Sequence, residues 1–207
     1  MYIQRKQAFD LFREYLQDYT AVIQNHNSYL DDLTTDSDWS FVIKAQALVE
    51  SITTNAILAN IGDNRLRKTV EVMPLVGEEA SKLAIAKSLG LLTKAQRRFI
   101  KKLASLRNKL AHRADCADFT FDEFFGGFND GDKRDWQESV TWFANTKELK
   151  EKWKHIAIDD PRNTIYVGIF ILVWLLELDG FKTQYMRKLD ETASNVTSEL
   201  LSQLIEN

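Results

Sequence analysis

The residues that are best suited to carry out chemistry lie in the stretch LRNKLAHR, residues 106–113. Histidine, here His112, exchanges a proton near neutral pH, and the guanidinium of Arg107 can bind two oxygens of a phosphate. Asn108 can orient the histidine ring or hold a phosphate oxygen. Because RNA carries its own nucleophile in the 2'-hydroxyl, its cleavage requires only proton transfer, a cation and alignment. The three residues are therefore candidate catalytic residues for metal-independent cleavage of RNA.

The spacing of these residues restricts how they can meet. Asn108 and His112 are four residues apart and share a helix face, whereas Arg107 and His112 are five apart and point roughly 140° away from each other. They converge if the helix unwinds near Ala111, or if two copies of the motif face each other across a two-fold axis. We favour the second arrangement, which predicts a homodimer.

A run of positive charge precedes the motif. Residues 80–114 contain ten lysines and arginines and no acidic residue, although the whole chain has a net charge of -3. A basic ridge on an acidic body can hold and orient a polyanion, and RNA is the predicted partner. The candidate RNA-binding residues, called the basic ridge below, are Lys94, Arg97, Arg98, Lys101, Lys102, Lys109 and Arg113.

Each of these residues also has a plainer explanation. The ridge can be a solvated helix face balanced by acidic neighbours such as Asp115, Asp118 and Asp122. His112 can cap the end of its helix and complement the helix dipole. Arg107 can form a buried ion pair with Glu50 that ties two helices together. These alternatives stay open at the level of the sequence.

No metal or cofactor is predicted. The remaining histidines have no ligand spacing around them, and the chain has no glycine-rich phosphate loop. A single cysteine among 207 residues allows no internal disulfide, and charges occur in every turn of the first residues, unlike a signal peptide. The longest apolar run, at 165–178, is shorter than the roughly 20 residues that span a bilayer, so we read it as a buried helix. We therefore expect a cytoplasmic protein without membrane contact.

The composition predicts an all-α fold. Glycine (8) and proline (2) are scarce, and the apolar residues recur at helical spacing. Gly62 is expected to close a central second helix, and Thr93 with Gln96 forms a capping box for the helix that carries the ridge. Residues 115–136 are predicted to be a loop or irregular insertion. Asp179 and Gly180 are predicted to end a hydrophobic helix. Six or seven helices are expected, at about 4–30, 39–61, 79–89, 94–112, 136–153, 165–178 and 183–205.

The segment RNKLAH resembles the signature of the HEPN superfamily, in which Arg, followed by a polar residue, precedes His by four to six residues. The segment DWSFVIKAQALVESI is similar to the first core helix of that family, with Glu50 where an acidic or polar residue often faces the site. The run SKLAIAKSLGLLTKAQRRFIKKLASLRNKLAH, followed by FTFDE, is similar to the subgroup typified by the mannitol operon repressor. The resemblance covers about residues 38–125, and helix 165–178 would be a last core helix.

The resemblance implies a HEPN-type helical bundle whose motif lies at a helix end and forms a metal-independent ribonuclease site in a dimer. It adds Glu50 to Arg107, Asn108 and His112 as candidate catalytic residues. We expect one domain overall, with an added N-terminal amphipathic helix at 1–35 and a bundle at 36–207, whose core comprises 38–125 and 163–180.

Three functions are compatible with the sequence. The first is an endoribonuclease of the toxin-antitoxin or antiviral defence type, held in check by an antitoxin. The second is a non-enzymatic protein resembling the mannitol operon repressor, which binds a regulatory partner or influences transcription. The third is an RNA-binding module without turnover, which would keep the salt-dependent affinity of the ridge.

Overall fold

A computed structural model describes residues 5–111 and 118–205 of the chain. Within these residues the structure has nine α-helices, one short 3-10 turn at Asn64–Leu66 and no strand, which confirms the all-α class. Their number exceeds the six or seven that were expected. The helices are α1 (Arg5–Thr35), α2 (Asp38–Ile61), α3 (Arg67–Val72), α4 (Lys82–Ser88), α5 (Lys94–Ala111), α6 (Phe121–Gly126), α7 (Asp130–Val140), α8 (Lys147–Asp159) and α9 (Pro161–Ile205).

Helix α2 is the centre of the bundle, as expected. Its start is capped by Ser37, whose hydroxyl accepts a hydrogen bond from the backbone N–H of Ser40 at 3.3 Å. It ends at Gly62, which has a φ of +72° and donates its N–H to the carbonyl of Leu58 at 2.9 Å. More than half of its residues are buried, because α2 packs against α1, α4, α5 and α9.

Helix α5 carries the basic ridge and is anchored by the predicted capping box. The backbone N–H of Thr93 donates to Oε1 of Gln96 at 2.7 Å, and the N–H of Gln96 donates back to the Thr93 hydroxyl at 3.3 Å. One face of α5 is apolar and packs on α2, which leaves the charged face outside. The buried apolar residues of this face are Phe99, Ile100, Leu103, Ala104, Leu106 and Leu110.

The prediction of a loop at 115–136 is wrong for its described part. Thr120 caps α6 by accepting from the N–H of Glu123 at 3.3 Å, and Asn129 forms a capping box with Asp132 at the start of α7. Trp136 is 1% exposed and donates its indole N–H to the carbonyl of Ala157 at 2.9 Å. Acidic residues in the first turns of α6 and α7 favour these helix N-termini, and Trp136 ties α7 to α8.

The single helix expected at 136–153 is two helices, α7 and α8. The backbone leaves the helical path at Thr141, and Thr146 starts α8 by accepting from the N–H of Leu149 at 3.2 Å. This threonine cap lies inside the segment that was read as one continuous helix.

The two helices expected at 165–178 and 183–205 are one helix, α9, which continues through Asp179 and Gly180. Asp179 accepts a hydrogen bond from the side chain of Asn60 at 3.1 Å. Gly180 is buried, and a Cβ added there would lie 3.5 Å from the Cβ of Ala59. Packing against α2 therefore outweighs the cost of about 1 kcal/mol for glycine inside a helix.

Helix α9 is long and apolar enough to cross a membrane by length and composition, and 44% of its most apolar stretch is buried in the bundle. Its inner face contributes Ile165, Ile169 and Leu172 to the core, while Phe170 and Leu178 are exposed. Core helices of water-soluble proteins satisfy the same criterion.

The N-terminal helix α1 packs along α9 and α2. Leu30 and Leu33 are buried in the core at its C-terminal end. Arg162 fixes the following turn, because its guanidinium donates to the carboxylate of Asp38 at 3.1 Å and to the carbonyl of Leu33 at 2.7 Å. The end of α1 is thereby joined to the starts of α2 and α9.

Candidate nucleic-acid interface

The motif lies at the described end of α5. Arg107 and Asn108 belong to the last turn of the helix, which is described to Ala111. His112 and Arg113 lie outside the described residues.

Arg107 and Asn108 contact each other directly. The guanidinium Nη1 of Arg107 donates to Oδ1 of Asn108 at 3.2 Å, and Asn108 is exposed. The Nε of Arg107 is buried and has no hydrogen-bond partner within residues 5–111 and 118–205. Arg107 has five N–H donors in all, so its donor capacity is largely unused by the described part of the chain.

Glu50 does not bind Arg107 in the described structure. Its Oε1 accepts from the ammonium of Lys82 at 2.6 Å, and its Oε2 accepts from the amide of Gln46 at 3.3 Å. The ion pair between Arg107 and Glu50, one of the alternatives from the sequence, is therefore not formed among these residues. Glu50 instead joins α2 to the first residue of α4.

Part of the basic ridge is neutralised by α7. Arg98 donates to Asp135 at 2.8 Å and to Glu138 at 2.9 Å, and Lys102 also binds Asp135. The hydrogen bond from Lys102, followed by that from Arg98, lowers the pKa of Asp135 below its ordinary value. These acidic partners differ from the neighbours that the sequence indicated, of which Asp115 lies outside the described residues.

The other ridge residues divide into two groups. Arg97 donates to the backbone carbonyl of Leu92. Lys94, Lys101 and Lys109 are exposed and form no ion pair with any residue that the structure describes. The cationic surface available to a polyanion is therefore narrower than the ridge read from the sequence.

A groove between α4 and α5 is lined by five basic residues and one acidic residue, Glu78. It has a volume of about 590 Å³, and Lys87 on α4 faces the ridge residues of α5 across it. Lys87 belongs to the basic run of the sequence but not to the predicted RNA-binding residues, because its position across a groove from α5 is a tertiary feature. The basic residues that line the groove are Lys87, Lys94, Arg97, Arg98 and Lys101.

The groove continues along α5 to the motif. A second hollow of about 440 Å³ shares Lys101 with the groove and also contacts Ser105, Asn108 and Lys109. Residues 94, 101 and 108 are spaced by seven, nearly two turns, so they lie on one face of the helix. The groove and the second hollow, which share Lys101, therefore extend from α4 to Asn108 along one side of α5.

Among the described residues, no group of three or more histidine, cysteine or acidic side chains is placed to hold a metal ion. Comparison of the chain with protein-family models, with curated proteins and with solved structures found no match in any of the three.

Proposed function

We propose that this protein is a HEPN-type RNA-binding protein that cleaves RNA as a homodimer without a metal ion. The observation that carries the proposal is a line of three lysines, Lys94, Lys101 and Lys109, that form no ion pair with the described residues. They line a groove and an adjoining hollow that extends to Asn108, the hydrogen-bond partner of Arg107. Unpaired lysines along a groove supply the salt-dependent attraction for a phosphate backbone. RNA bound there has a phosphate within reach of the motif.

In the proposed reaction, His112 accepts the proton of a 2'-hydroxyl, and the oxygen attacks the adjacent phosphorus. The bond from phosphorus to the 5'-oxygen of the next nucleotide breaks, and that oxygen takes up a proton. Arg107 stabilises the charge on the phosphoryl oxygens, and Asn108 holds the guanidinium in position. The products end in a 2',3'-cyclic phosphate and a 5'-hydroxyl.

Glu50, the fourth candidate catalytic residue, has a positioning role in this proposal. It binds Lys82, with which α4 begins, and α4 forms one wall of the groove through Leu83 and Lys87. The ion pair between Glu50 and Lys82 thus holds α4, one wall of the groove, against α2.

Dimerisation would bring two copies of the motif together, so that the His112 of one chain serves the Arg107 of the other. A nuclease of the toxin or antiviral type requires restraint, and an antitoxin is the proposed protein partner. The cytoplasm remains the expected location, because RNA substrates and such partners occur there.

The second candidate function is a non-enzymatic regulator resembling the mannitol operon repressor. The neutralisation of Arg98 and Lys102 by α7 favours it, since ion-paired side chains are less available to RNA. In this function the same bundle would bind a protein partner, and Arg107 would have a structural role.

The test is incubation of the purified protein with end-labelled single-stranded RNA in EDTA, together with the His112→Ala and Arg107→Ala variants. Arg134→Ala is the matched control, because Arg134 is exposed on α7 and lines neither the groove nor the second hollow. Cleavage that leaves cyclic phosphate ends and disappears only in the two motif variants would support the nuclease.

Cleavage retained in a folded His112→Ala protein would overturn the catalytic assignment. Salt-dependent binding without cleavage by the unmodified protein would indicate an RNA-binding module. Absence of both activities in a folded dimer would favour the regulator.

A further inference from the structure

A pocket with aromatic walls lies beside the proposed RNA path. It has a volume of about 280 Å³ and is formed between α5 and the segment from α6 to α7. It shares Ser105 and Lys109 with the hollow that contains Asn108. An RNA strand that follows α5 to the motif would therefore pass its entrance. Its lining includes Lys102, Lys109, Phe124, Gly127, Phe128 and Trp136.

The aromatic residues of the pocket differ in function. Trp136 is fully buried and its indole N–H donates a hydrogen bond to the carbonyl of Ala157, so its role is structural. Phe124 and Phe128 are only half-buried, and their ring centroids lie 4.8 Å apart at an interplanar angle of 62°. Two rings at this angle can offer a planar ligand one face and one edge, and both contacts are favourable for aromatic pairs.

The two lysines of the pocket are also not equivalent. Lys102 is bound to Asp135 on α7. Lys109 forms no ion pair with the described residues, and its ammonium lies 6.0 Å from the centroid of the Phe124 ring. A cation at this distance from an aromatic wall is placed to bind a phosphate whose base lies against the same ring.

We infer that this pocket binds one unpaired nucleobase of the RNA, stacked on one of the two rings of Phe124 and Phe128 and in edge contact with the other, while Lys109 binds the adjoining phosphate. The inference rests on the proposed RNA binding and adds a base-binding site to it. A free phosphate would gain nothing from the aromatic walls, and an apolar ligand would make no use of the ammonium of Lys109. A nucleotide satisfies both kinds of group.

The experiment measures binding of the full-length protein to fluorescein-labelled 12-residue oligonucleotides in EDTA by fluorescence anisotropy. One oligonucleotide is 2'-O-methyl RNA, which lacks the free nucleophile and is not cut. The other has the same backbone with every base removed. The variants are Phe128→Leu, Gly127→Trp and Lys109→Gln, with Phe125→Leu as the matched control.

Phe125 is a suitable control because it belongs to the same aromatic cluster without lining the pocket. Its ring lies 4.7 Å from Phe128 and 5.1 Å from Trp136, so its replacement disturbs the packing in a comparable way. Gly127 offers a variant that leaves the cluster intact. Its φ of -92° suits any residue, and a Cβ added there meets no atom within 4 Å.

The expected result is that Phe128→Leu and Gly127→Trp weaken binding of the base-containing oligonucleotide about tenfold, the usual effect of one lost stacking contact. The same two variants should change binding of the abasic oligonucleotide by less than about twofold. The control Phe125→Leu should change binding of either oligonucleotide by less than about twofold. Lys109→Gln should weaken both oligonucleotides to a similar extent, because it removes a phosphate contact.

Two results would overturn the pocket while leaving RNA binding in place. One is unchanged binding of the base-containing oligonucleotide by folded Phe128→Leu and Gly127→Trp proteins. The other is an equal loss in Phe125→Leu, which would assign the effect to packing. Absence of binding to both oligonucleotides by the unmodified protein would instead refute the proposed RNA binding, and the pocket with it.

Discussion

Lys82 donates a hydrogen bond of 2.6 Å to Glu50, and this ion pair joins the first residue of α4 to the middle of α2. The side chain of Lys82 is only 3% exposed, whereas that of Glu50 is 35% exposed. The ammonium therefore has little access to water, while the carboxylate keeps part of its hydration. Because of this asymmetry, removing one partner should lower the free energy of unfolding more than removing the other.

Replacing Glu50 should destabilise the protein more than replacing Lys82. Glu50→Ala leaves a buried ammonium without a counter-charge, which costs about 3–5 kcal/mol. Lys82→Met keeps the apolar stem and leaves a carboxylate that retains Gln46 and water, at about 1–2 kcal/mol. Urea unfolding of both variants measures the difference, and equal losses would contradict the asymmetry.

The two adjacent lysines of α5, Lys101 and Lys102, should contribute unequally to RNA binding. Lys101 lines both the groove and the second hollow and has no acidic partner among the described residues, whereas Lys102 forms an ion pair with Asp135. Lys101→Gln is expected to weaken binding and to reduce the dependence on salt by about one phosphate contact. Lys102→Gln should have a smaller effect on the affinity and on its salt dependence. Anisotropy titrations from low to moderate salt decide between them, and a larger effect at Lys102 would place the strand nearer α7.

Local signals made much of the bundle predictable. The capping box of Thr93 and Gln96 and the helix end at Gly62 are where the sequence indicated, because short-range hydrogen bonds determine them. The interruption of α9 at Gly180 was wrong, since close packing on Ala59 is a long-range contact that no local pattern reveals.

The candidate site was predictable in part for the same reason. Its position at the end of a basic helix follows from residue types, and the contact between Arg107 and Asn108 is local. The partners of Arg98 and Glu50 are not local: Asp135 is 37 residues from Arg98, and Lys82 is 32 residues from Glu50. Which cations remain unpaired is therefore a property of the tertiary structure.

The stabilising effect of Asp135 should depend on pH. Hydrogen bonds from Lys102 and then Arg98 lower the pKa of this carboxylate in the folded state. A lowered pKa means that the stabilisation is complete above the ordinary pKa of aspartate, near 4, and is lost as the pH falls through the folded value. Because the side chain is about half exposed, the contribution is at most about 1 kcal/mol.

The measurement compares the Tm of the unmodified protein with that of Asp135→Asn between pH 7 and pH 3. We expect the unmodified protein to be more stable at pH 7 and the difference to shrink below about pH 4. High salt should also reduce the difference in Tm between the two proteins at pH 7. A difference that is constant over this range would show that the ion pairs contribute nothing.

The two glycines inside α9 should respond in opposite directions to alanine. A Cβ at Gly180 would lie 3.5 Å from Ala59, an ordinary contact, so Gly180→Ala is expected to stabilise the protein by up to about 1 kcal/mol through helix propensity. At Gly168 the Cβ would lie 3.1 Å from the ring of Phe99 and 3.2 Å from the indole nitrogen of Trp142. Phe99 is completely buried and has little room to move.

Gly168→Ala should therefore lower the free energy of unfolding by about 1–3 kcal/mol, the usual cost of overpacking. Urea denaturation of the two variants gives the comparison directly, because both changes add one methyl group to the same helix. A loss of stability in Gly180→Ala as large as that in Gly168→Ala would mean that α9 is strained at Asp179 and Gly180. The continuous helix would then be held there by its packing on α2 against a local preference to break.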